Sequence, residues 1–174
     1  MKIREETETD FSITEKLIET AFKNAEFADH NEHILVQSLR KSSAFIPELS
    51  LIAEIEDKIV GHILFSKIMI IGTMEFESLA LAPVSVHPEF QKSGIGGKLI
   101  QEGLKKAKEL GYESVIVLGH KDYYPKFGFR KASEWDIKCP FVVPDESFMA
   151  IELKKDALVG KSGTVRYSEV FVIK

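Results

Sequence analysis

The sequence predicts an α/β (α+β) fold in a single domain, residues 1–174, with a mixed central sheet flanked by helices and interrupted at one bulged strand. Three observations predict it. Gly96 to Leu110 carries Leu99, Ile100, Gly103, Leu104, Ala107 and Leu110 on one helical face and Lys105, Lys106 and Lys108 on another. Leu49 to Ile71 reads as two apolar strands around a polar turn, an antiparallel hairpin. Ser78 to Val86 keeps a strand pattern through Pro83, which cannot donate to a central ladder and so demands a bulge or a break in pairing. With 174 residues, 44% of them apolar, the chain can bury one core and is too short for two independent domains.

In order along the chain, Lys2-Ile3-Arg4 opens as a short strand. Asp10 is a helix cap ahead of Phe11, Leu17, Ile18, Ala21 and Phe22, which share one face. An irregular exposed linker, Lys23 to Asn31, leads to a second helix suggested by Ile34, Leu35, Leu39 and their neighbours and ending in the Ser42-Ser43 region, ahead of Pro47. The hairpin turns at Glu56-Asp57-Lys58, and Gly111 stops the long helix. Ser114 to Leu118 is a buried strand, and Phe148 to Leu153 and Thr164 to Val172 are strand-like. Edge-strand logic allows Val165 to Val172 to pair across a homodimer, and a monomer is equally compatible.

Charged residues make up 29% and the formal net charge is -4, so no basic excess marks a partner such as nucleic acid or an anionic membrane. The single cysteine, Cys139, excludes an internal disulfide framework, and Met1 to Glu6 lacks the apolar core of a signal peptide. A cytoplasmic location follows. The longest apolar run, around Ile68 to Ile71, falls far short of the roughly 20 residues that cross a bilayer.

The join between the bulged strand and the long helix, Gln91-Lys92-Ser93-Gly94-Ile95-Gly96-Gly97-Lys98, places three glycines at a helix N-terminus. Free N–H groups of a first turn, the helix dipole and two lysines make an anion site for which a diphosphate is the natural guest. A Walker A loop fails here because Leu99 stands where Ser or Thr is needed, with Lys92 at its first glycine. A dinucleotide fingerprint fails because it needs glycine at position 99 as well and an acidic residue about 20 positions on.

What remains, Gln91-Lys92-Ser93-Gly94-Ile95-Gly96, resembles the Gln/Arg-x-x-Gly-x-Gly/Ala signature of the GNAT (GCN5-related N-acetyltransferase) superfamily. Val84-Ser85-Val86-His87-Pro88 resembles that superfamily's cofactor strand, and Tyr123-Tyr124-Pro125-Lys126-Phe127-Gly128-Phe129 its Phe-Tyr-x-x-x-Gly-Phe segment. The order of elements matches from residue 3 to about 153, leaving 154–174 as a C-terminal strand extension. The resemblance implies a mostly antiparallel sheet splayed at the cofactor strand and acetyl-CoA as cosubstrate. It further implies that Gly94, Ile95, Gly96, Gly97 and Lys98 donate main-chain hydrogen bonds to the diphosphate, with Gln91, Lys92 and Ser93 in the same loop. Val84, Ser85 and Val86 then pair with the pantetheine arm, and a main-chain N–H near Val86 polarises the thioester carbonyl. The implied activity is N-acetyl transfer to a primary amine of a small molecule or peptide by direct attack. The alternative is a catalytically weak acyl-CoA-binding or regulatory module, and the same pocket is compatible with longer acyl chains or a hydroxyl acceptor.

Such chemistry needs a neutral amine, a polarised carbonyl and a proton for the leaving thiolate. An amine of pKa about 10.4 is neutral in about one molecule in 2,500 at pH 7, equivalent to roughly 4.6 kcal/mol of barrier unless a base assists. The family resemblance assigns the general acid to Tyr124. The base is left open among Glu75, Glu77, Glu54, His120 and a water chain, since Leu79 to Pro83 holds no carboxylate. His120, after the strand end, is expected at the cofactor. His30 and His33 with Asp29 and Glu32 lack a metal-binding spacing, so no metal is expected; the resemblance, whose early helices contact the amine substrate, implies that Glu32 is an amine contact. Cys139 has no neighbouring His and reads as a packed thiol.

Overall fold

The computed structural model describes residues 1–25 and 30–171. Among these the chain forms β1 (Lys2–Glu5), α1 (Phe11–Phe22), α2 (Glu32–Arg40), β2 (Phe45–Ile55), β3 (Lys58–Ile71), β4 (Glu75–Val86), α3 (Ile95–Glu109), β5 (Ser114–Leu118), β6 (Arg130–Lys131), β7 (Ile137–Lys138), β8 (Phe148–Glu152) and β9 (Gly163–Arg166). The sheet runs β1-β2-β3-β4-β5-β8-β6, and β9 lies against β3 and β7. Every pairing is antiparallel except β4 with β5 and β7 with β9. No described helix is long and apolar enough to cross a membrane.

Two consecutive residues of β3 show how the layers are built. Side chains alternate along a strand. Phe65 joins the core formed with Leu99, Ile100 and Leu104 of α3, whereas Leu64 packs with Ile18 of α1 and Val36 and Leu39 of α2. α3 therefore covers one face and α1 with α2 the other. Gly103 lets α3 come close: a Cβ there would stand 2.7 Å from Phe65 Cζ. A third apolar cluster joins Ile70 of β3, Ile116 of β5, Phe148 of β8 and Val165 of β9.

Several expectations are corrected by the packing. Asp10 does not cap α1 with its side chain. Its carboxylate accepts hydrogen bonds from the Thr7 N–H at 2.8 Å and the Arg4 guanidinium at 2.8 Å, closing the preceding turn, and Arg4 holds it well below the usual carboxylate range. α2 buries Val36 and Leu39, while Ile34, two positions from Val36 and so on another side of the helix, is exposed. Leu110 lies just past α3, next to Gly111 at φ +94°, and is exposed instead of packed. The C-terminal strand is shorter than its sequence pattern. Only Gly163–Arg166 is extended, held by Met69–Ile71 of β3 on one flank and β7 on the other, and Glu169–Phe171 turns into a 3-10 helix. Val172 and the linker positions 26–29 lie outside the described residues.

Between the sheet and α1/α2 lies a buried polar layer. Glu6 receives Arg40 at 2.7 Å and the Ser50 hydroxyl at 2.8 Å, and Ser50 Oγ lies 3.1 Å from His62 Nε2. Since Ser50 donates to Glu6, its oxygen accepts from His62, which fixes the neutral Nε2–H tautomer. Complete burial, reinforced by the Arg40 charge, lowers the His62 pKa to about 3.

Candidate active site at the splayed strands

The site begins with a break in the sheet. β4 pairs with β5 only at Leu79↔Val115 and Ala80↔Ile116. Beyond Ala80, β4 stays on β3 but with a shifted register: Phe65 faces Leu81 and Ile63 faces Val84, so Ala82-Pro83 supplies the extra residue of a bulge, and the Ala82–Pro83 peptide is cis. Past the bulge β4 pairs with β3 alone among the strands, and the other backbone flank of Val84–Val86 opens into the gap. An edge of this kind is a template for an added extended chain.

The second wall is the start of α3. Gly94 is its N-cap at φ +87°, a left-handed conformation natural to glycine, and it follows Lys92 at φ +63°. The Lys98 N–H already bonds to Gly94 O at 3.1 Å. The amides left open at this helix end are thus those of Ile95, Gly96 and Gly97, and the expected Lys98 donor is withdrawn into the helix. Gln91 acts structurally, its side-chain amide donating to Val86 O at 3.1 Å and tying the loop to β4. The Ser93 hydroxyl is likewise engaged, with Phe90 O.

These parts enclose a 540 Å³ cavity lined by Val84, Val86, Gln91, Lys92, Gly94, Ile95, Gly96 and Gly97, together with Phe90, Tyr123 and Lys126. Eight expected cofactor positions are brought together. Ser85, Ser93, Lys98, His120 and Tyr124 are not among the lining residues. Ser85 pairs in register with His62 and is buried, one position out of phase with Val84 and Val86. His120 points to solvent, its Nδ1 accepting from the Asp122 N–H at 3.1 Å. Phe90, Tyr123 and Lys126 were missed as contacts. The last two belong to the segment already singled out, and the need for a wall facing Gly96 and Gly97 was the available signal.

Tyr124 stands at the open end of β5. It packs on Gly119, where a Cβ would lie 2.9 Å from its Cδ2, and makes edge contacts with Tyr123 and Phe129 at centroid distances of 5.1 and 5.7 Å. Burial, with Tyr123 adding, pushes its hydroxyl pKa up to about 12, so it is protonated throughout the neutral range. The base candidates disperse. Glu54 is bound by Arg4 on the β1 side of the sheet. Glu75 and Glu77 precede Leu79 and Ala80, on the closed side of the splay. Glu32 is the first residue of α2, on the sheet face opposite α3. Cys139 is half-buried, its thiol pKa raised by burial, and lines a separate 340 Å³ depression. Among the described residues no group of three or more His, Cys, Asp or Glu is placed to hold a metal ion, and Asp29 lies outside them.

The pattern of relatives agrees with this geometry. The Acetyltransferase (GNAT) family model matches residues 9–129. The chain is 38% identical over 141 residues to the uncharacterized N-acetyltransferase YjhQ of Escherichia coli K12, covering 78% of each chain. Among solved structures, the E. coli GNAT family N-acetyltransferase YhbS in complex with CoA superposes with a TM-score of 0.88 at 28% identity, over 99% of this chain and 92% of that one. A GNAT family acetyltransferase from Brucella melitensis in complex with acetyl-CoA gives 0.81 at 33% identity, over 98% and 97%. With a family model spanning most of its length and a splayed strand beside an open helix N-terminus, the chain belongs to the GNAT acetyltransferase family.

Proposed function

We propose that this acetyl-CoA-dependent acetyltransferase transfers the acetyl group to a primary amine of a small molecule or peptide by direct attack, with Tyr124 donating to the departing sulfur. The observation that carries the reading is the convergence of two open backbone features on one cavity: the flank of Val84–Val86, where pairing with β5 has stopped and Val86 O is taken by Gln91, and the open amides of Ile95, Gly96 and Gly97. An extended amide chain such as pantetheine satisfies the first and a diphosphate the second. Relatives solved with CoA and with acetyl-CoA support the assignment.

In this mechanism the amine nitrogen bonds to the thioester carbon, and the carbonyl oxygen takes the developing charge under a main-chain N–H near Val86. Collapse breaks the carbon–sulfur bond. Full proton transfer from a phenol of pKa about 12 to a thiolate of pKa about 8.5 is uphill by about 5 kcal/mol. Tyr124 therefore works as a hydrogen-bond donor that steadies the sulfur, the net proton coming from the amine. A second reading, a weakly catalytic acyl-CoA-binding module, is favoured by the distance of Glu54, Glu75 and Glu77 from the open side of the splay. With one cysteine the chain needs no oxidising compartment, and we place it in the cytoplasm as one domain.

Thiol release from acetyl-CoA, followed with a panel of small amines and N-terminal peptides, separates the two. Amine-dependent release of at least about 1 per second, at the lower edge of ordinary enzyme turnover, supports the transferase. Tight coenzyme binding with no amine raising thiol release above background supports the module.

A further inference from the structure

We propose that Lys126 and Tyr123 form a side-chain wall that grips the coenzyme's diphosphate from the side opposite α3. The proposal rests on assigning the 540 Å³ cavity to acetyl-CoA. α3 offers main-chain amides on one side of that cavity only. Facing them is the segment from Tyr123 to Phe127, a 3-10 turn after its first residue. The Tyr123 hydroxyl lies 3.3 Å from where a Gly96 Cβ would be, and Phe127 Cζ lies 3.5 Å from where a Gly97 Cβ would be. Two rings thus close on the two glycines and bring the opposite wall level with the open amides.

Lys126 sits between those rings in sequence and over them in space. Its Nζ stands 4.1 Å from the Tyr123 centroid and 5.4 Å from that of Phe127, while the rings meet edge to face at 5.2 Å. Cation–π attraction holds the ammonium at the cavity without neutralising it, leaving its positive charge for a ligand. A diphosphate carries two negative charges, and a helix N-terminus reaches only the oxygens turned toward it. The oxygens on the far side need donors from another element. A lysine ammonium, with three rotatable donors and a full charge, suits them, and the Tyr123 hydroxyl adds one more. Burial raises the Tyr123 pKa, which keeps that donor protonated.

The test is calorimetric titration of the full chain with acetyl-CoA and with its 3′-dephospho form, using wild type, Lys126→Gln, Lys126→Arg and Tyr123→Phe. Lys126 is exposed, so its variants are expected to keep the wild-type melting temperature. Lys126→Gln is expected to weaken both ligands by the same factor, about 10-fold, the size of one charge-assisted contact. Lys126→Arg is expected to recover most of this, and Tyr123→Phe to weaken both ligands about 3-fold. Unchanged affinity in Lys126→Gln overturns the proposal. So does a loss seen with acetyl-CoA but absent with the dephospho form, because the lysine would then read the ribose phosphate. Failure of wild type to bind either ligand overturns the cavity assignment itself, a distinguishable result.

Discussion

Replacing Gly96 by alanine separates what the fold needs from what the ligand needs. A Cβ at this second position of α3 would meet Val86 Cγ2 at 3.7 Å and Val84 Cγ1 at 3.8 Å, ordinary contacts, and the Tyr123 hydroxyl at 3.3 Å. That hydroxyl ends a side chain able to give a few tenths of an ångström. Against this small strain, alanine gains up to about 1 kcal/mol over glycine in helix propensity, less in a first turn. Stability is therefore expected to be unchanged or up to about 1 kcal/mol higher. The ligand meets a different situation, since the methyl fills the space between β4 and Tyr123 through which a diphosphate approaches the Gly96 and Gly97 amides. Losing one such charge-assisted hydrogen bond costs about 1.5–3 kcal/mol, a roughly 10- to 150-fold weaker acetyl-CoA complex. Valine, which extends further, is expected to abolish binding. Thermal unfolding and calorimetry on the same samples read both quantities. Wild-type affinity in Gly96→Ala would refute the approach of the ligand to these amides, and a large fall in melting temperature would show that the glycine serves packing instead.

Tyr124→Phe removes one hydrogen bond to the departing sulfur, about 1.5–3 kcal/mol, and is expected to lower turnover by about 10- to 150-fold with little change in coenzyme affinity; wild-type turnover would remove Tyr124 from the chemistry. Because its pKa is raised to about 12, the protonated form persists below that value and is lost only above it. The pH profile of kcat/KM should accordingly rise as the amine deprotonates, with no fall below about pH 10 that could be assigned to this hydroxyl. Gly103→Val sets helix propensity against overlap with the fully buried Phe65 ring, and overpacking of about 1–3 kcal/mol outweighs a gain below 1 kcal/mol; a melting temperature at or above wild type would contradict the close α3–β3 contact. His62 titrates at about 3 when folded against about 6.5 unfolded, so unfolding takes up a proton between these values. Its stabilisation is fully present above pH 6.5 and falls as the pH drops toward 3, by up to about 1.4 kcal/mol per unit. Urea unfolding at pH 7 and pH 5 reads this, and equal stability at the two would sink it.

What could be read beforehand follows from locality. The α3 stripe, the glycine turn and the Pro83 bulge are properties of neighbouring residues, and their periodicity or chemistry is visible in a short window. The polar layer was not legible, because Glu6, Arg40, Ser50 and His62 meet only through tertiary packing. The same limit applied to Ile34 and Val36, both apolar on a helix whose buried side is chosen by Leu64 and Ile18. At the site, the motif located the segment 123–129 but could not divide roles between two adjacent tyrosines. Neighbouring side chains near a 3-10 turn diverge by about 120°, so Tyr123 lines the cavity while Tyr124 turns onto Gly119. Lys98 was expected to donate because it closes the glycine-rich segment that the resemblance assigns to the diphosphate, whereas helix hydrogen bonding fixes which amides stay open, and that depends on where the first turn begins.

Calorimetric titration of the wild-type chain with acetyl-CoA, beside coenzyme A and ATP, tests the central claim most directly. The account predicts micromolar binding of acetyl-CoA and coenzyme A through the diphosphate and pantetheine they share, and much weaker binding of ATP, which lacks the arm that pairs with Val84–Val86. No binding of acetyl-CoA, or ATP bound as tightly, would contradict it and leave the glycine turn as a structural feature alone.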